Sequence, residues 1–93
     1  MEIEIEFEFD ERKSIANKAK HGIDFVEIQA LWLDEDGVDF PTRIEGEARW
    51  IRVGKITQQF WAAVFTVREE RVRLISARRA RLKEVALHES EGV

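Results

Sequence analysis

The sequence predicts an α+β fold in a single domain, with an N-terminal strand, two helices, an antiparallel meander of three to four strands and a C-terminal helix. The first ten residues alternate between apolar and acidic side chains, the next segments show helical spacing between capping signals, and the second half contains strand-like segments joined by short turns. A chain of 93 residues can enclose one core but not two. We therefore expect residues 1–93 to form one domain.

The N-terminal strand is expected from Met1 to Asp10, where apolar and acidic residues alternate strictly. One face carries Ile3, Ile5, Phe7 and Phe9, and the other carries Glu2, Glu4, Glu6 and Glu8. A row of carboxylates could gather a cation, but on an exposed strand it more often favours solubility and prevents edge-to-edge pairing. We adopt this second interpretation.

A first helix is predicted to begin after Asp10, an N-cap residue, and to end at His21, with Gly22 as a left-handed terminator. Its core-facing stripe is expected to be Ile15, Ala16 and Ala19. Another face carries polar and cationic side chains suited to phosphate, namely Lys13, Asn17, Lys20 and His21. His21 has two interpretations, a catalytic group or a structural cap that complements the helix dipole.

A second, short helix is predicted to begin at Asp24, with Glu27 at the capping-box position. Its apolar face comprises Phe25, Ile28, Leu31 and Trp32. Beyond it, the first, third and twelfth positions of a calcium loop are matched by Asp34, Asp36 and Glu45. The sixth position, which needs glycine for a sharp turn, is Asp39, so we reject a calcium site. We expect no metal and no organic cofactor.

Three further strands are expected in an antiparallel meander, from Ala48 to Gly54, from Gln59 to Val67 and from Arg71 to Ala77. Three aromatic residues fall on the first two of these strands: Trp50, Trp61 and Phe65. They could stack on nucleic-acid bases, but packing in the core or on the sheet surface is the commoner role of strand aromatics.

The last helix is expected to begin at Ser76, an N-cap candidate, so that Arg78, Arg79 and Arg81 fall in its first turn. Cations there oppose the helix dipole, at about 0.3–1 kcal/mol per charge. An anion docked among these arginines would reverse the penalty, because the guanidinium fork matches phosphate oxygens. Further arginines on the preceding strand and turn are Arg68, Arg71 and Arg73. The alternative interpretation is a solvated basic surface.

Charge is divided unevenly along the chain. Residues 1–47 contain 5 Lys or Arg and 14 Asp or Glu, whereas residues 48–93 contain 10 and 5. A basic second half can bind phosphate although the net charge is −4. The chain has no cysteine for disulfides or thiolate zinc sites, and no apolar run approaches the ~20 residues of a membrane span. We expect a cytoplasmic protein without a signal peptide.

Five motifs, in order over nearly the whole chain, carry a family resemblance. They are Phe7-Glu-Phe-Asp10, Lys13 with Asn17, Lys20-His-Gly22, Gly46-Glu47 with Arg49, and Arg73-Leu-Ile-Ser-Ala-Arg-Arg-Ala80 with Glu84. Together they resemble the BrnT family of small ribonuclease toxins from type II toxin-antitoxin modules. The resemblance implies a RelE-like fold, an RNA substrate, and a BrnA-like ribbon-helix-helix antitoxin that masks the toxin and binds promoter DNA together with it.

Three residues depart from those common in that family, namely Phe9, Phe65 and His88. Phe9 replaces a tryptophan, Phe65 stands where tyrosine or histidine is frequent, and His88 lies where tyrosine is usual. His88 could itself supply proton transfer or a phosphate contact.

A ribonuclease that needs no metal can use the 2′-hydroxyl of RNA as nucleophile. It requires a base for that proton, cations for the phosphorane and an acid for the 5′-oxygen. We expect His21 and Glu47 to be the acid and base, in either assignment, and to lie within about 12 Å of each other. Arg49, Arg78 and Arg79 would stabilise the developing charge. The other expected RNA contacts are Lys13, Asn17, Lys20, Arg68, Arg71, Arg73 and Arg81.

A rival hypothesis is a binding module without catalysis, specific for nucleic acid or for an acidic protein partner. It would use the same arginines only as phosphate or carboxylate contacts. Such a module would keep its RNA affinity after substitution of His21 or Glu47, whereas a nuclease would lose turnover.

Overall fold

A computed structural model describes residues 4–91 as one α+β domain built on a five-stranded sheet. The elements are β1 (Phe7–Glu8), α1 (Glu11–His21), a 3₁₀ helix (Glu27–Leu33), β2 (Val38–Ile44), β3 (Glu47–Ile56), β4 (Gln59–Arg68), β5 (Arg71–Arg79) and α2 (Leu82–Glu91). The strand order is β1-β5-β4-β3-β2. Strands β2 to β5 form the antiparallel meander, and β1 pairs with β5 in parallel. The predicted fold class is confirmed.

Strand β1 is shorter than the alternation from Met1 to Asp10 predicts, since its ladder comprises only Phe7 and Glu8. Residues 1–3 of the expected strand, including Glu2 and Ile3, lie outside the described residues. Strand β2 was not predicted. It lies within the segment from Asp34 to Glu45, for which a calcium loop was considered and rejected. Its Val38 and Phe40 pack against the core from the sheet edge.

The core lies on both faces of the sheet. On the face that we call the helical face, Ile23, Phe25, Ile28 and Leu31 pack against Ala63, Phe65, Val72, Leu74 and Ala77. On the opposite face, which we call the α2 face, the buried residues are Ile51, Val53, Ala62 and Val64. Phe65 is therefore a core residue, in edge contact with Trp32 at 5.2 Å between ring centroids. Trp50 remains 42% exposed.

Helix α1 has the predicted ends but not the predicted inward face. Asp10 accepts hydrogen bonds from the first turn, and Gly22 terminates the helix with φ of 82°. The expected core stripe is wrong, because Ile15 is 67% exposed whereas Ser14 and Asn17 are buried. These polar residues face inward because the helix packs against backbone groups. The Ser14 hydroxyl accepts from the N–H of Phe25 at 2.9 Å.

Asn17 connects α1 to β5 and to the loop after the helix. Its amide nitrogen donates to the carbonyl oxygens of Ala77 at 2.9 Å and Ile23 at 2.8 Å, and its oxygen accepts from the Ala77 N–H at 3.2 Å. All of these groups are buried, so the side chain satisfies three backbone groups that would otherwise lose water without compensation. Asn17 is thus a structural residue, and its expected contact with RNA is not available.

The helix that follows Asp24 has the predicted capping box. Asp24 accepts from the N–H groups of Val26 and Glu27, and Glu27 accepts in return from the Asp24 N–H at 3.0 Å. The helix itself is of the 3₁₀ type.

The last helix begins at Leu82, five residues later than an N-cap at Ser76 predicts. Ser76 lies within β5, opposite Val64, and β5 continues until Arg79 pairs with Trp61. The N–H of Arg81 donates to the Glu84 carboxylate at 2.8 Å, so Glu84 rather than Ser76 caps α2. None of the helices within residues 4–91 has the length and apolarity that crossing a membrane takes.

Replacing Asn17 by alanine is expected to lower the free energy of unfolding by about 2–4 kcal/mol, because each buried backbone group left without a partner costs about 1–3 kcal/mol. Lys13→Ala, on the exposed side of the same helix, is the control and should change stability by less than about 0.5 kcal/mol. Urea denaturation measures both. Equal effects of the two substitutions would contradict the structural role of Asn17.

Candidate functional site

Helix α2 covers only one half of the α2 face. Its polar contacts lie at the end of the sheet where β5 finishes, where Glu84 binds Arg78 and His88 packs on Phe60 with ring centroids 5.0 Å apart. The other half, towards the β2–β3 and β4–β5 turns, is open, and its strand side chains are mainly charged. A polyanion can therefore reach this half directly.

Four arginines project from the open half, and we call them the arginine patch: Arg49 on β3, Arg68 on β4, and Arg71 and Arg73 on β5. Thr66 on β4 pairs with Arg73 on β5. On the other side of β4, Trp50 pairs with Phe65, so the next residue of each strand places Arg49 beside Thr66. Arg49 and Arg73 therefore lie in one row across the sheet, with Cα atoms about 10 Å apart, or two strand spacings. The patch is wide enough to hold more than one phosphate of a strand.

The turn between β4 and β5 combines two unfavourable features, a pair of like charges across the ladder and two glutamates with positive φ. Arg68 lies directly opposite Arg71, and like charges in that position repel. The two turn residues, Glu69 and Glu70, have φ of 50° and 67°, which side chains other than glycine and asparagine rarely adopt. An anion bound between the two guanidinium groups would convert their repulsion into attraction.

Carboxylates contact three arginines of the patch. The pairs are Glu47–Arg49, Glu6–Arg71 at 3.0 Å and Glu8–Arg73 at 3.6 Å. Glu47 lies two residues from its partner on the same face of β3, and its side chain is 65% exposed. It is thus an accessible carboxylate held at the edge of a cationic surface.

Arg78 has a different environment from the patch. It lies on β5 rather than in a helix, and its guanidinium binds both oxygens of Glu84 at 2.7 and 2.9 Å. Burial alone would raise the pKa of Glu84, but the hydrogen bonds from Arg78 and from the Arg81 N–H outweigh it and lower this pKa. Arg78 therefore attaches α2 to the sheet, and its charge is already neutralised.

Arg79 faces the other side of the sheet. The register of β5 shifts between Leu74 and Ser76, so that Ile75 is an extra residue and the alternation of side chains reverses beyond it. Arg79 consequently lies on the helical face, with its guanidinium 5.3 Å from the ring centroid of Trp61. The predicted cluster of Arg78 and Arg79 is thus divided between the two faces.

His21 lies towards the end of the sheet where β5 finishes. Glu8, shortly before α1, is beside Arg73, whereas Asn17 within α1 is bonded to Ala77. Helix α1 therefore advances in the direction of β5, and His21 is one helical turn further along.

Glu47 lies at the opposite end of the sheet. Glu47 is the first residue of β3. Five residues further along this strand, Arg52 pairs with Ala63 of β4, which in turn pairs with Ala77 of β5. Five residues along a strand and two strand spacings place the Cα of Glu47 about 19 Å from that of Ala77, the residue to which α1 is hydrogen-bonded. Glu47 and His21 therefore do not share one site, contrary to the expectation from the sequence.

His88 is buried and holds α2 in place. Its Nε2 lies 3.0 Å from Asp34 Oδ2, and its Nδ1 is buried without a partner among the described residues. Burial alone would raise the pKa of Asp34, but hydrogen bonds from the N–H groups of Lys55 and Asp36 and from His88 lower it. Because the residue is only 7% exposed, His88 is a structural contact in this fold and is not placed to transfer protons to a substrate.

The remaining expected RNA contacts, Lys13, Lys20 and Arg81, are exposed but lie outside the patch. Thr42 and Thr66 stand opposite Arg49 and Arg73, and the sequence carries no signal for them because their position depends on strand register. Glu6 and Glu8 were expected to face solvent, but they contact Arg71 and Arg73. Across residues 4–91, no three His, Cys, Asp or Glu side chains converge as a metal site needs.

The fold and the patch define a small α+β protein whose open sheet face presents four arginines, three of them paired with exposed or half-buried carboxylates. A family model described as the ribonuclease toxin BrnT of type II toxin-antitoxin systems matches residues 9–84. The chain belongs to this family, and the resemblance seen in its motifs is confirmed. No curated protein matches the chain. Membership implies an RNA substrate and an antitoxin partner.

The Glu84–Arg78 contact should make stability depend on pH. Because the pKa of Glu84 in the folded protein is below its ordinary 4.5, its contribution is present above pH 4.5 and is lost as pH falls through the folded value. We expect Glu84→Gln to cost about 1–3 kcal/mol at neutral pH and progressively less in acid. Urea denaturation at pH 7 and near pH 3.5 measures the difference.

The matched control is Glu89→Gln, an exposed carboxylate on the same helix. It should leave the stability almost unchanged at both pH values. A Glu84→Gln penalty that persisted undiminished in acid would contradict the assignment of an ionised Glu84.

Proposed function

We propose that this protein is a metal-independent endoribonuclease toxin of a type II toxin-antitoxin module, which cleaves RNA by attack of the 2′-hydroxyl. One observation carries the proposal: the exposed Glu47 carboxylate is held by Arg49 at the edge of the arginine patch. A proton acceptor and several cations thus occupy the same open surface. Membership in a ribonuclease toxin family supports the class of substrate.

Glu47 is the proposed general base. RNA provides the nucleophile, so the protein needs only to accept the 2′-hydroxyl proton as the 2′-oxygen attacks phosphorus. A carboxylate that is mainly exposed can accept that proton, and the adjacent Arg49 fixes its orientation. His21, which the sequence left as the alternative, lies towards the opposite end of the sheet and is given no role in this step.

Arg49 and Arg73 are the proposed stabilisers of the phosphorane. Their guanidinium groups project from one row of the sheet, and planar donors suit the equatorial oxygens of the reacting phosphate. Arg68 and Arg71 would hold a neighbouring phosphate. Arg78 is excluded from these roles because Glu84 already occupies both arms of its fork.

The bond changes follow from this arrangement. The 2′-oxygen–phosphorus bond forms, the bond from phosphorus to the 5′-oxygen breaks, and the 2′ proton passes to Glu47. The 5′-oxygen takes a proton from solvent, which reaches this open face. The products are a 2′,3′-cyclic phosphate and a 5′-hydroxyl.

Side chains at the other end of the sheet, some of them on its helical face, would serve as outlying contacts. Lys20, His21 and Arg79 lie there, with Lys13 further back on α1 and Arg81 before α2. At this distance they can bind flanking phosphates and contribute to affinity, with little effect on the chemical step.

The purified, antitoxin-free protein is expected to cleave RNA in the presence of EDTA and to leave cyclic phosphate ends. Glu47→Gln should lower kcat by about 10²–10⁴-fold, as expected for loss of a general base. Arg49→Ala and Arg73→Ala should each lower it by about 10²–10³-fold. Mass analysis of the fragment ends, together with initial rates, measures these changes.

Arg12→Ala is the matched control, since Arg12 is an exposed arginine on α1 outside the patch. It and His21→Ala should change kcat by less than about threefold. Loss of activity in His21→Ala with Glu47→Gln active would move the reaction centre to the other end of the sheet. RNA that is bound but left intact by the wild type would favour the binding module without catalysis.

We further propose that the antitoxin is a BrnA-like ribbon-helix-helix protein and that the pair, acting in the cytoplasm, binds promoter DNA. Family membership supports an antitoxin partner. Co-expression with the neighbouring reading frame should yield a stable complex that leaves RNA intact and shifts promoter DNA in a gel. DNA binding by the toxin alone at equal affinity would contradict this division of roles.

A further inference from the structure

We infer that Glu6 and Glu8 occupy two phosphate subsites of the arginine patch, and that consecutive phosphates of one RNA strand replace them when RNA binds. The inference rests on the proposed function, because it concerns the substrate of the same surface. The carboxylates of the N-terminal strand would thus mimic two phosphates of the substrate within the free protein.

The pairing of β1 with β5 directs these carboxylates to the patch. Glu8 lies opposite Arg73 in the parallel ladder, and the N–H of Val72 donates to the carbonyl of Glu6 at 2.9 Å. Phe7, between the two glutamates, points to the helical face and packs against Trp32 with ring centroids 5.1 Å apart. The backbone of β1 is thus anchored while its acidic side chains face the arginines.

The spacing of the two subsites suits a nucleic-acid backbone. Residues two apart on a strand are about 6.6–6.8 Å from each other, which applies to Glu6 and Glu8 and equally to Arg71 and Arg73. Consecutive phosphates of an extended RNA strand have a similar separation. One strand of RNA can therefore place successive phosphates where the two carboxylates now lie.

The two contacts are of a kind that phosphate can displace. The side chain of Glu6 is 70% exposed and that of Glu8 is 31% exposed. The contact at Arg71 is a single hydrogen bond, and the 3.6 Å contact at Arg73 is longer than one. Exposed pairs of this kind contribute little to stability, whereas phosphate can bind a guanidinium through two hydrogen bonds.

The Arg78–Glu84 pair provides the contrast within the same strand. There the carboxylate is buried, and two hydrogen bonds of 2.7 and 2.9 Å hold it. Of the three β5 arginines on this face, the structure therefore leaves Arg71 and Arg73 open to exchange and commits Arg78 to α2.

Replacement of carboxylates should appear in the salt dependence of binding. RNA releases condensed cations where arginines neutralise its phosphates, but a carboxylate displaced from its arginine then attracts a cation of its own, so fewer cations are released in total. Removing the two carboxylates should increase affinity and also steepen the dependence of log K on log salt, by up to about 0.7 for each phosphate contact. A change in net charge elsewhere does not create these local ion-binding positions.

The test uses the full-length chain and a fluorescent ten-nucleotide RNA whose 2′-hydroxyls are methylated, which prevents cleavage. The double variant Glu6→Gln/Glu8→Gln is compared with Glu11→Gln/Glu35→Gln, which removes two exposed carboxylates outside the patch. We expect the first variant to bind about 3–10-fold more tightly than the second and to show a slope that is steeper by up to about 1.4. Anisotropy titrations between 50 and 300 mM salt measure both quantities.

Equal affinity and equal slope in the two double variants would overturn the inference. Glu6→Gln alone tests whether a disturbed β1 causes the effect. The Glu6 side chain is 70% exposed and its backbone carbonyl is unchanged by the substitution, so β1 should stay paired and the slope change should be about half. Arg71→Ala and Arg73→Ala separate the two proposals. If they bind RNA as the wild type does, the patch is not the RNA surface and the proposed function fails in its geometry; if they lose binding while the glutamate variants match their control, only this inference fails.

Discussion

The pairing of β4 with β5 is the constraint on which the rest of the molecule depends. Side chains of these two strands pack into the core on both faces of the sheet. The extra residue Ile75 interrupts their pairing and reverses the alternation of side chains partway along β5. Before this point Arg71 and Arg73 share the α2 face; beyond it Arg78 returns to that face and Arg79 turns to the other. A single inserted residue thereby divides one arginine-rich segment into an open patch, a structural ion pair and an aromatic contact.

The two helices are attached to this sheet by different means, and that difference leaves the patch open. Helix α1 is tied through buried hydrogen bonds from Asn17 to the backbone, whereas α2 is held by Glu84 and His88 at one end of its face. Both attachments lie near the end where β5 finishes. The charged half of the α2 face therefore remains accessible, and the fold itself concentrates substrate contact on the strands.

Local signals in the sequence were sufficient for the elements that depend on local hydrogen bonds. The caps at Asp10 and Gly22, the box formed by Asp24 and Glu27, and the order of the meander are all confirmed. The sequence could not show which side of α1 faces inward, because this depends on backbone groups distant in the chain. The sequence showed that arginine is abundant but not on which face of the sheet each arginine lies, because a β-bulge has no clear signature in composition. The sequence also could not show that Glu47 and His21 lie towards opposite ends of the sheet, because this depends on strand register and on the direction of α1.

The parallel pairing of β1 with β5 also has a consequence for synthesis. Strand β1 leaves the ribosome before β5, and its partner follows 65 residues later, so this ladder closes a long loop. The meander, by contrast, is built from neighbouring hairpins. The acidic strand is therefore already present whenever Arg71 and Arg73 emerge, and a nascent chain never displays these two arginines before it also carries the carboxylates that pair with them.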